Sequence, residues 1–225
     1  MNILVVNPNS STSMNEVIFQ AANQAAQQTS GASKEYTNIS IIGLSKAPAL
    51  INSALDETLA SYYLIEKIKE ICHSYDGFIV ACHSDPGVLA LRELTRKPVL
   101  GIGYASIYSS LLYGENITIL AISEKSIVRK QKMLKNYGFD NRNFSIMPTG
   151  FNEEMSLAEA KEKLLQAGRK AKAEFHSDVL VLGCAGMAVL ADGLAKELRI
   201  PVIDGVAVAV NLLENMIKTN NQWKE

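Results

Sequence analysis

Apolar and polar residues follow two rhythms along this chain. Short runs rich in valine, isoleucine and leucine alternate with longer stretches whose apolar residues recur every three or four positions. The short runs are typical of strands buried in a sheet, and the longer stretches of amphipathic helices that cover it. This alternation predicts an α/β fold with a largely parallel sheet. The predicted strands are residues 2–6, 38–42, 77–81, 99–102, 117–122, 144–147, 179–183 and 202–203, and the predicted helices include 12–28, 56–73, 124–136 and 157–175.

Two of these helices carry start signals. Ser11 and Thr12 precede the first predicted helix. Ser156 precedes the helix predicted at 157–175, and Glu159 follows three residues later, which is the pattern of a capping box.

The sequence also contains an internal repeat. Asp76 and Asp178 each precede an apolar strand, and Cys82 and Cys184 follow those strands at the same spacing. A second short strand beginning Pro-Val then follows each cysteine after a helical segment. Repeats of this kind indicate a duplicated structural unit.

The simplest interpretation of the repeat is two pseudo-symmetric, Rossmann-like halves with parallel sheets. The first half is predicted to comprise residues 1–101 plus 205–225, and the second residues 102–204. Because no linker rich in proline, glycine or serine separates them, we expect the halves to pack closely. The candidate site would then lie in the cleft between them.

The two repeated cysteines are the candidate chemical groups. Each follows the carboxyl end of a predicted strand, where parallel α/β sheets bind ligands, and pseudo-symmetry would make the two face each other. Turn-forming or small residues follow each cysteine and lead towards a helix, with Pro86 placed near the first helical turn. A helix N-terminus favours a thiolate, so both positions suit a reactive cysteine.

Two opposed thiols suit the inversion of a carbon that bears an acidic proton. One thiolate removes the proton from one face, and the other thiol delivers a proton to the opposite face. The ordinary thiol pKa of about 8.5 needs only modest lowering for this role. The alternative is that the cysteines are small core residues. The matched spacing favours chemistry for Cys82 and Cys184, whereas Cys72 has no counterpart and is assigned to packing.

Four segments, in order and spanning almost the whole chain, resemble those of the aspartate/glutamate/hydantoin racemase family, and of hydantoin and allantoin racemases in particular. They are Asn7-Pro8-Asn9-Ser10-Ser11, Ala81-Cys82-His83-Ser84-Asp85-Pro86-Gly87, Leu182-Gly183-Cys184-Ala185-Gly186-Met187 and Pro201-Val202-Ile203-Asp204-Gly205.

The resemblance implies that Cys82 and Cys184 are the two catalytic bases and that no cofactor is needed. It also implies that Asn9 and the groups beside each cysteine hold the polar groups of the substrate. The residues expected to bind substrate are Asn9, Ser84, Asp85, Gly183, Ala185 and Gly186.

The chain departs from this family pattern at two positions. Tyr104 stands where hydantoin racemases commonly carry an acidic residue, and His83 stands where small or aromatic residues are frequent. Both changes bear on which substrate is bound rather than on the cysteine chemistry.

Several polar residues have simpler interpretations. His83 could tune the Cys82 thiolate, contact substrate, or do neither. Asp85 is predicted to cap the helix that follows it. The pair Gly101 and Gly103 lacks the third glycine of the dinucleotide fingerprint, and no Walker sequence occurs. The three histidines have no metal-ligand spacing, so neither a nucleotide nor a metal is expected.

The composition of the chain narrows the range of binding partners to be expected. The 225 residues include 22 basic and 23 acidic side chains, with no basic stripe that would follow a phosphate backbone, so nucleic acid is not expected. The apolar start is too short for a signal peptide, and no run approaches the roughly 20 apolar residues of a spanning helix. Three cysteines do not form a disulfide framework. We expect a cytoplasmic homo-oligomer that acts on a small molecule.

Two alternative functions remain at this point. One is a cis-trans isomerase of the maleate type, in which a cysteine attacks the substrate covalently. The other is a protein that holds a small carboxylate or ureide without turnover. A decarboxylase is disfavoured because the decarboxylase relatives have a single cysteine where this chain has two.

Overall fold

The eight apolar runs form strands in two separate four-stranded parallel sheets. The computed structural model describes residues 1–30, 36–139 and 143–222. The chain divides into one unit of Met1–Ala105 with Val206–Glu225 and a second unit of Ser106–Gly205. The predicted α/β class is confirmed.

The sheet of the first unit has the strand order β2-β1-β3-β4, with all neighbours parallel. Its last helix, α8, comes from the end of the chain and places Leu213 and Ile217 against Gly77 on β3. The elements are β1 (Asn2–Asn7), α1 (Thr12–Ser30), β2 (Asn38–Gly43), α2 (Ala54–Ile71), β3 (Gly77–Val80), α3 (Val88–Thr95), β4 (Val99–Gly101), α4 (Ile102–Ser110) and α8 (Gly205–Gln222).

The second unit repeats this topology, with the strand order β6-β5-β7-β8 and parallel pairing throughout. The boundary between the units falls within α4, after Ala105. The elements are β5 (Ile117–Ala121), α5 (Ile127–Asn136), β6 (Phe144–Pro148), α6 (Leu157–Phe175), β7 (Val179–Leu182), α7 (Ala191–Leu198) and β8 (Val202–Ile203).

The central strands explain why the sequence pattern is so clear. Every residue of β3, β5 and β7 is buried, and so is all of β1 after Asn2. A parallel strand covered on both faces requires a continuous apolar run rather than an alternating one. Because burial fixes these strands in place, the candidate residues that follow their carboxyl ends are held in place as well.

The repeated aspartates have a structural role at the opposite end of these strands. The Asp76 carboxylate accepts a hydrogen bond of 2.8 Å from the backbone N–H of Asn2, and Asp178 accepts one of 3.0 Å from Asn116. The backbone N–H of each aspartate in turn donates to the carbonyl of the same asparagine, at 2.8 Å in both cases. Each aspartate therefore ties the amino ends of two neighbouring strands together and sets their register.

Helix ends differ in small ways from the sequence prediction. The helix α2 begins at Ala54, two residues earlier than expected, because Ser53 forms a capping box with Asp56. The last turn of that predicted helix is a 3-10 turn at Cys72–Ser74, and α5 is preceded by another at Glu124–Ser126.

The predicted capping box of α6 is confirmed. Ser156 accepts from the backbone N–H of Glu159, and the Glu159 carboxylate accepts from Ser156. These hydrogen bonds, first from the Ser156 side chain and then from its backbone, lower the pKa of Glu159 below its ordinary value.

Among the described residues, none of the helices combines the length and the apolar character that crossing a membrane requires.

Candidate functional site

Cys82 follows β3 in the first unit, two residues after the strand ends. Ala81 still continues the ladder, since its N–H donates to the Val6 carbonyl of β1 at 2.8 Å. The half-buried Cys82 places its Sγ 3.3 Å from the Ser84 hydroxyl oxygen. The thiol thus lies at the carboxyl edge of the sheet with a hydroxyl beside it.

Asp85 closes the turn after Cys82 and fastens it to α4. Its backbone has a positive φ of 51°, and its N–H donates to the Cys82 carbonyl at 2.9 Å. Its carboxylate accepts from the backbone N–H groups of Gly103 at 2.9 Å and Tyr104 at 2.6 Å. The prediction that Asp85 caps the helix following it, α3, is therefore corrected, because these bonds cap the first turn of α4.

The same contact explains the pair of glycines that follows β4. A Cβ on Gly101 would overlap the Asp85 carboxylate, and a Cβ on Gly103 would overlap the carbonyl oxygen of His83. The two glycines therefore let the turn after Cys82 lie directly on the start of α4. Their role here is close backbone approach.

The turn after Cys82 leads into the α3 helix. Val88 is its first residue and Gly87, with φ of 73°, is its N-cap. Pro86 therefore lies before the helix, and Cys82 lies six residues ahead of it. The turn-forming residues after Cys82 thus lead into a helix, as predicted, and the turn closed by Asp85 separates the thiol from the helix N-terminus.

Asn9 lies at the same edge of the sheet, after β1. It is 7% exposed, and its side-chain oxygen accepts from the backbone N–H of Ser11 at 2.9 Å. Its backbone carbonyl accepts from Leu44 at 3.0 Å. Since β1 pairs directly with β3, Asn9 and Cys82 follow adjacent strands.

The two departures from the family pattern have distinct settings. His83 is buried, with 2% of its surface exposed. Tyr104 is half-buried in α4, and the guanidinium carbon of Arg92 lies 5.9 Å from the centre of its ring. That distance is within the range of a cation–π contact, which gives the Tyr104 ring a packing role in the first unit.

Cys184 occupies the corresponding place in the second unit, two residues after β7. It is half-buried, has extended backbone (φ −150°, ψ 140°), and is the N-cap of a 3-10 helix at Ala185–Leu190. Its carbonyl accepts from the N–H of Met187 at 3.1 Å. Cys184 therefore does precede a helix directly, although that helix is of the 3-10 kind.

Gly183, the residue before Cys184, makes two backbone hydrogen bonds and approaches a neighbouring strand closely. The N–H of Gly183 donates to the Leu120 carbonyl at 2.9 Å, and its own carbonyl accepts from Lys130 Nζ at 3.0 Å. A Cβ on Gly183 would lie 2.5 Å from the Leu120 carbonyl oxygen. Sequence reasoning did not identify Lys130, although its position three and four residues before Met133 and Leu134 places it on the apolar face of α5.

The predicted site residues thus form one group in each unit. Cys72 belongs to neither group, because it packs against the apolar core of the first unit, as predicted. The first group contains Asn9, Cys82, Ser84 and Asp85, and the second contains Gly183, Cys184, Ala185 and Gly186.

The sequence is similar to known racemases over nearly its full length. It is 36% identical over 229 residues to a hydantoin racemase of Paenarthrobacter aurescens, with 99% of this chain and 93% of that protein covered. It is 35% identical over 221 residues to a hydantoin racemase of Pseudomonas sp. (strain NS671), with 96% of this chain and 86% of that protein covered.

Solved structures show the same relationship. The allantoin racemase of Klebsiella pneumoniae superposes with a TM-score of 0.88 at 32% identity, covering 98% of this chain and 89% of that one. The profile of the family described as Asp/Glu/Hydantoin racemase matches residues 3–213. With the fold, the two cysteine motifs and this match in agreement, the chain belongs to the Asp/Glu/hydantoin racemase family of enzymes.

Proposed function

We propose that this enzyme racemises its substrate without a cofactor, using Cys82 and Cys184 as its two acid–base groups. One observation carries the proposal. Two units of identical strand order each place a half-buried cysteine two residues beyond their third strand. A repeated thiol at the ligand-binding edge of a parallel sheet is expected for chemistry that needs the same group twice.

The proposed reaction is a proton transfer through a carbanion. One cysteine, as thiolate, removes the proton from a stereocentre next to a carbonyl, and the resulting charge is delocalised onto the carbonyl oxygen. The other cysteine, as thiol, delivers a proton to the opposite face. The two exchange roles in the reverse direction, so each must serve both as acid and as base.

The substrate that we propose is a 5-substituted hydantoin or allantoin. Both are ureides whose stereocentre lies between a carbonyl group and a nitrogen, which makes its proton acidic enough for thiol chemistry. The support is the similarity of this chain, at 32–36% identity, to hydantoin and allantoin racemases.

Polar groups beside each cysteine are proposed to hold the ureide. In the first unit these are Ser84 and the side-chain nitrogen of Asn9, since the Asn9 oxygen already accepts from Ser11. In the second unit we assign the role to Ala185 and Gly186. Gly183 is a poorer candidate than expected, because both of its backbone polar groups are bonded within the unit.

Asp85 is also better described as a positioning residue than as a direct ligand. Its carboxylate is committed to two N–H groups of α4. We propose that it orients the turn carrying Cys82 and Ser84.

The proposed chemistry requires reduced cysteines, which is consistent with action in the cytoplasm. The expected homo-oligomer remains a prediction.

The proposal is tested with a panel of enantiopure substrates. Loss of optical rotation should be fast with a 5-substituted hydantoin or with allantoin and at least about a hundredfold slower with aspartate and glutamate, because a free amino acid lacks the ring carbonyl and ureide contacts. Activity should persist after dialysis against a chelator. Turnover of maleate with none of these stereocentres racemised would overturn the proposal in favour of the covalent isomerase.

A further inference from the structure

Lys130 is a buried basic residue that the mechanism so far does not use. Only 8% of its surface is exposed, whereas lysine is among the residues least often buried. It lies on the apolar face of α5 with Met133 and Leu134. Its ammonium group donates to the carbonyl of Gly183 at 3.0 Å, across 53 positions of sequence. Burying a charged group is costly unless hydrogen bonds or opposite charges compensate it, and the bond to Gly183 supplies part of that compensation.

The bond places a positive charge close to the Cys184 thiol. The Gly183 carbonyl belongs to the peptide group that precedes Cys184, so covalent geometry keeps the Lys130 Nζ within roughly 9 Å of the Cys184 Sγ in any side-chain rotamer. Cys184 also packs against an apolar cluster that includes Leu182 and Met187. In such surroundings a charge is screened less than in water and acts more strongly on a neighbouring thiol.

Other charged groups near α5 are placed differently. Its closest neighbours are the Glu124–Ser126 turn and β6, and β6 carries no ionisable side chain. Glu124, Lys125 and Lys132 are exposed, and Arg129 is half-buried. Lys130 bonds to the peptide group next to Cys184.

In the first unit, the helix that corresponds to α5 carries different charged side chains. This helix, α1, contains no lysine or arginine, and its charged residue, Glu16, is exposed. The bond that α1 makes to the end of β1 joins neutral amides, with Asn7 Nδ2 donating to the Asn15 oxygen at 2.9 Å. Cys82 has the Ser84 hydroxyl as its neighbour. The two units therefore share a topology but not the charge beside their cysteines.

We propose that Lys130 is a positioning residue that fixes the Gly183–Cys184 segment and makes Cys184, rather than Cys82, the thiolate of the resting enzyme. This inference rests on the proposed two-cysteine function. The resting enzyme then reacts with the enantiomer that presents its proton to Cys184. Cys82, as the thiol, delivers the new proton. Elimination of the Lys130 charge should raise the pKa of the Cys184 thiol by about one unit.

The test measures the Cys184 thiol itself, independently of turnover. In a Cys72→Ser/Cys82→Ser background, the rate of alkylation by iodoacetamide is followed against pH, with Lys130→Met compared to Lys130→Arg and to Lys132→Met as an exposed control on the same helix. Lys130→Met should raise the apparent thiol pKa by about one unit, while the other two leave it within a few tenths. An unchanged profile in a folded Lys130→Met protein would overturn the inference.

A second measurement needs no variant, which matters if Lys130→Met fails to fold. The unmodified protein is alkylated across a pH range, and peptide mapping gives a separate profile for Cys82 and Cys184. Cys184 should show the lower pKa, and the opposite order would contradict the assignment. Because neither readout involves substrate, a failure here is distinguishable from a failure of the racemase proposal.

Discussion

At the scale of single residues, the three cysteines of this chain differ by their neighbours. Cys72 packs against an apolar core, Cys82 lies 3.3 Å from the Ser84 hydroxyl, and Cys184 follows a glycine held by Lys130. Burial alone does not separate them, because all three are half-buried. Contact with an apolar cluster does not separate them either, because Cys184 also packs against one. What distinguishes Cys82 and Cys184 is their position two residues beyond the carboxyl end of a buried strand.

Cysteine-to-serine substitutions should reproduce this division. Cys82→Ser and Cys184→Ser should each lower kcat/KM for racemisation by about a thousandfold or more, because a serine hydroxyl is far too weak an acid to replace a thiol in proton transfer. Cys72→Ser should stay within about threefold of the parent. Polarimetry on purified proteins of matched thermal stability gives the comparison, and normal racemisation by Cys82→Ser would refute the two-base assignment.

Lys130 shows why part of the site escaped prediction from the sequence. The cysteines, Asn9 and the turn after Cys82 are visible as short motifs, because each is local in the chain. The contact of Lys130 with Gly183 spans 53 positions, and a lysine within a helix ordinarily indicates a solvated face. The same limit applies to Asp85, whose partners lie 18 and 19 residues further along the chain rather than in the next helix.

At the scale of elements, long-range burial sets the strands and local capping sets the helices. The continuous apolar runs of β3, β5 and β7 are recognisable because both of their faces are covered. The Ser156 capping box was predictable because it needs four consecutive residues. The start of α3 was not, because the turn before it is fixed by the docking of Asp85 onto α4.

This docking of the Cys82 turn onto α4 can be broken at Gly101. In Gly101→Ala the new methyl group displaces the Asp85 carboxylate, whose two hydrogen bonds to α4 are then lost. We expect the free energy of unfolding to fall by about 2 kcal/mol or more and kcat/KM to fall at least about tenfold.

Gly193→Ala serves as the matched control for this substitution. A Cβ at Gly193 in α7 would meet only the flexible Lys161 side chain at 3.5 Å, so the change should be neutral or slightly stabilising. Urea unfolding and polarimetry on both variants make the comparison. Equal stability and activity in Gly101→Ala and Gly193→Ala would show that the docking of the turn is not important.

At the scale of the whole molecule, a duplicated topology carries two groups that are alike in position and unlike in surroundings. Each unit orders its strands in the same way and ends its third strand near a cysteine. In each unit, an Asp carboxylate accepts a hydrogen bond from a backbone N–H at the start of the first strand, and this bond fixes the register of the sheet. The buried Lys130 beside Gly183 belongs to the second unit, and α1, the matching helix of the first unit, has no lysine. This difference between the units fits the proposed reaction, in which one cysteine is a thiolate while the other is a thiol.

The most direct test of the central claim follows deuterium from solvent into an enantiopure substrate. With two bases on opposite faces, product formed early in D2O must have inverted configuration and carry deuterium, because the delivering thiol has exchanged with solvent. Recovered substrate should at that stage keep most of its original hydrogen. NMR combined with chiral chromatography measures both pools, and a reaction without enzyme corrects for spontaneous exchange. Deuterium entering recovered substrate as fast as product, or inverted product retaining its hydrogen, would contradict the two-base account.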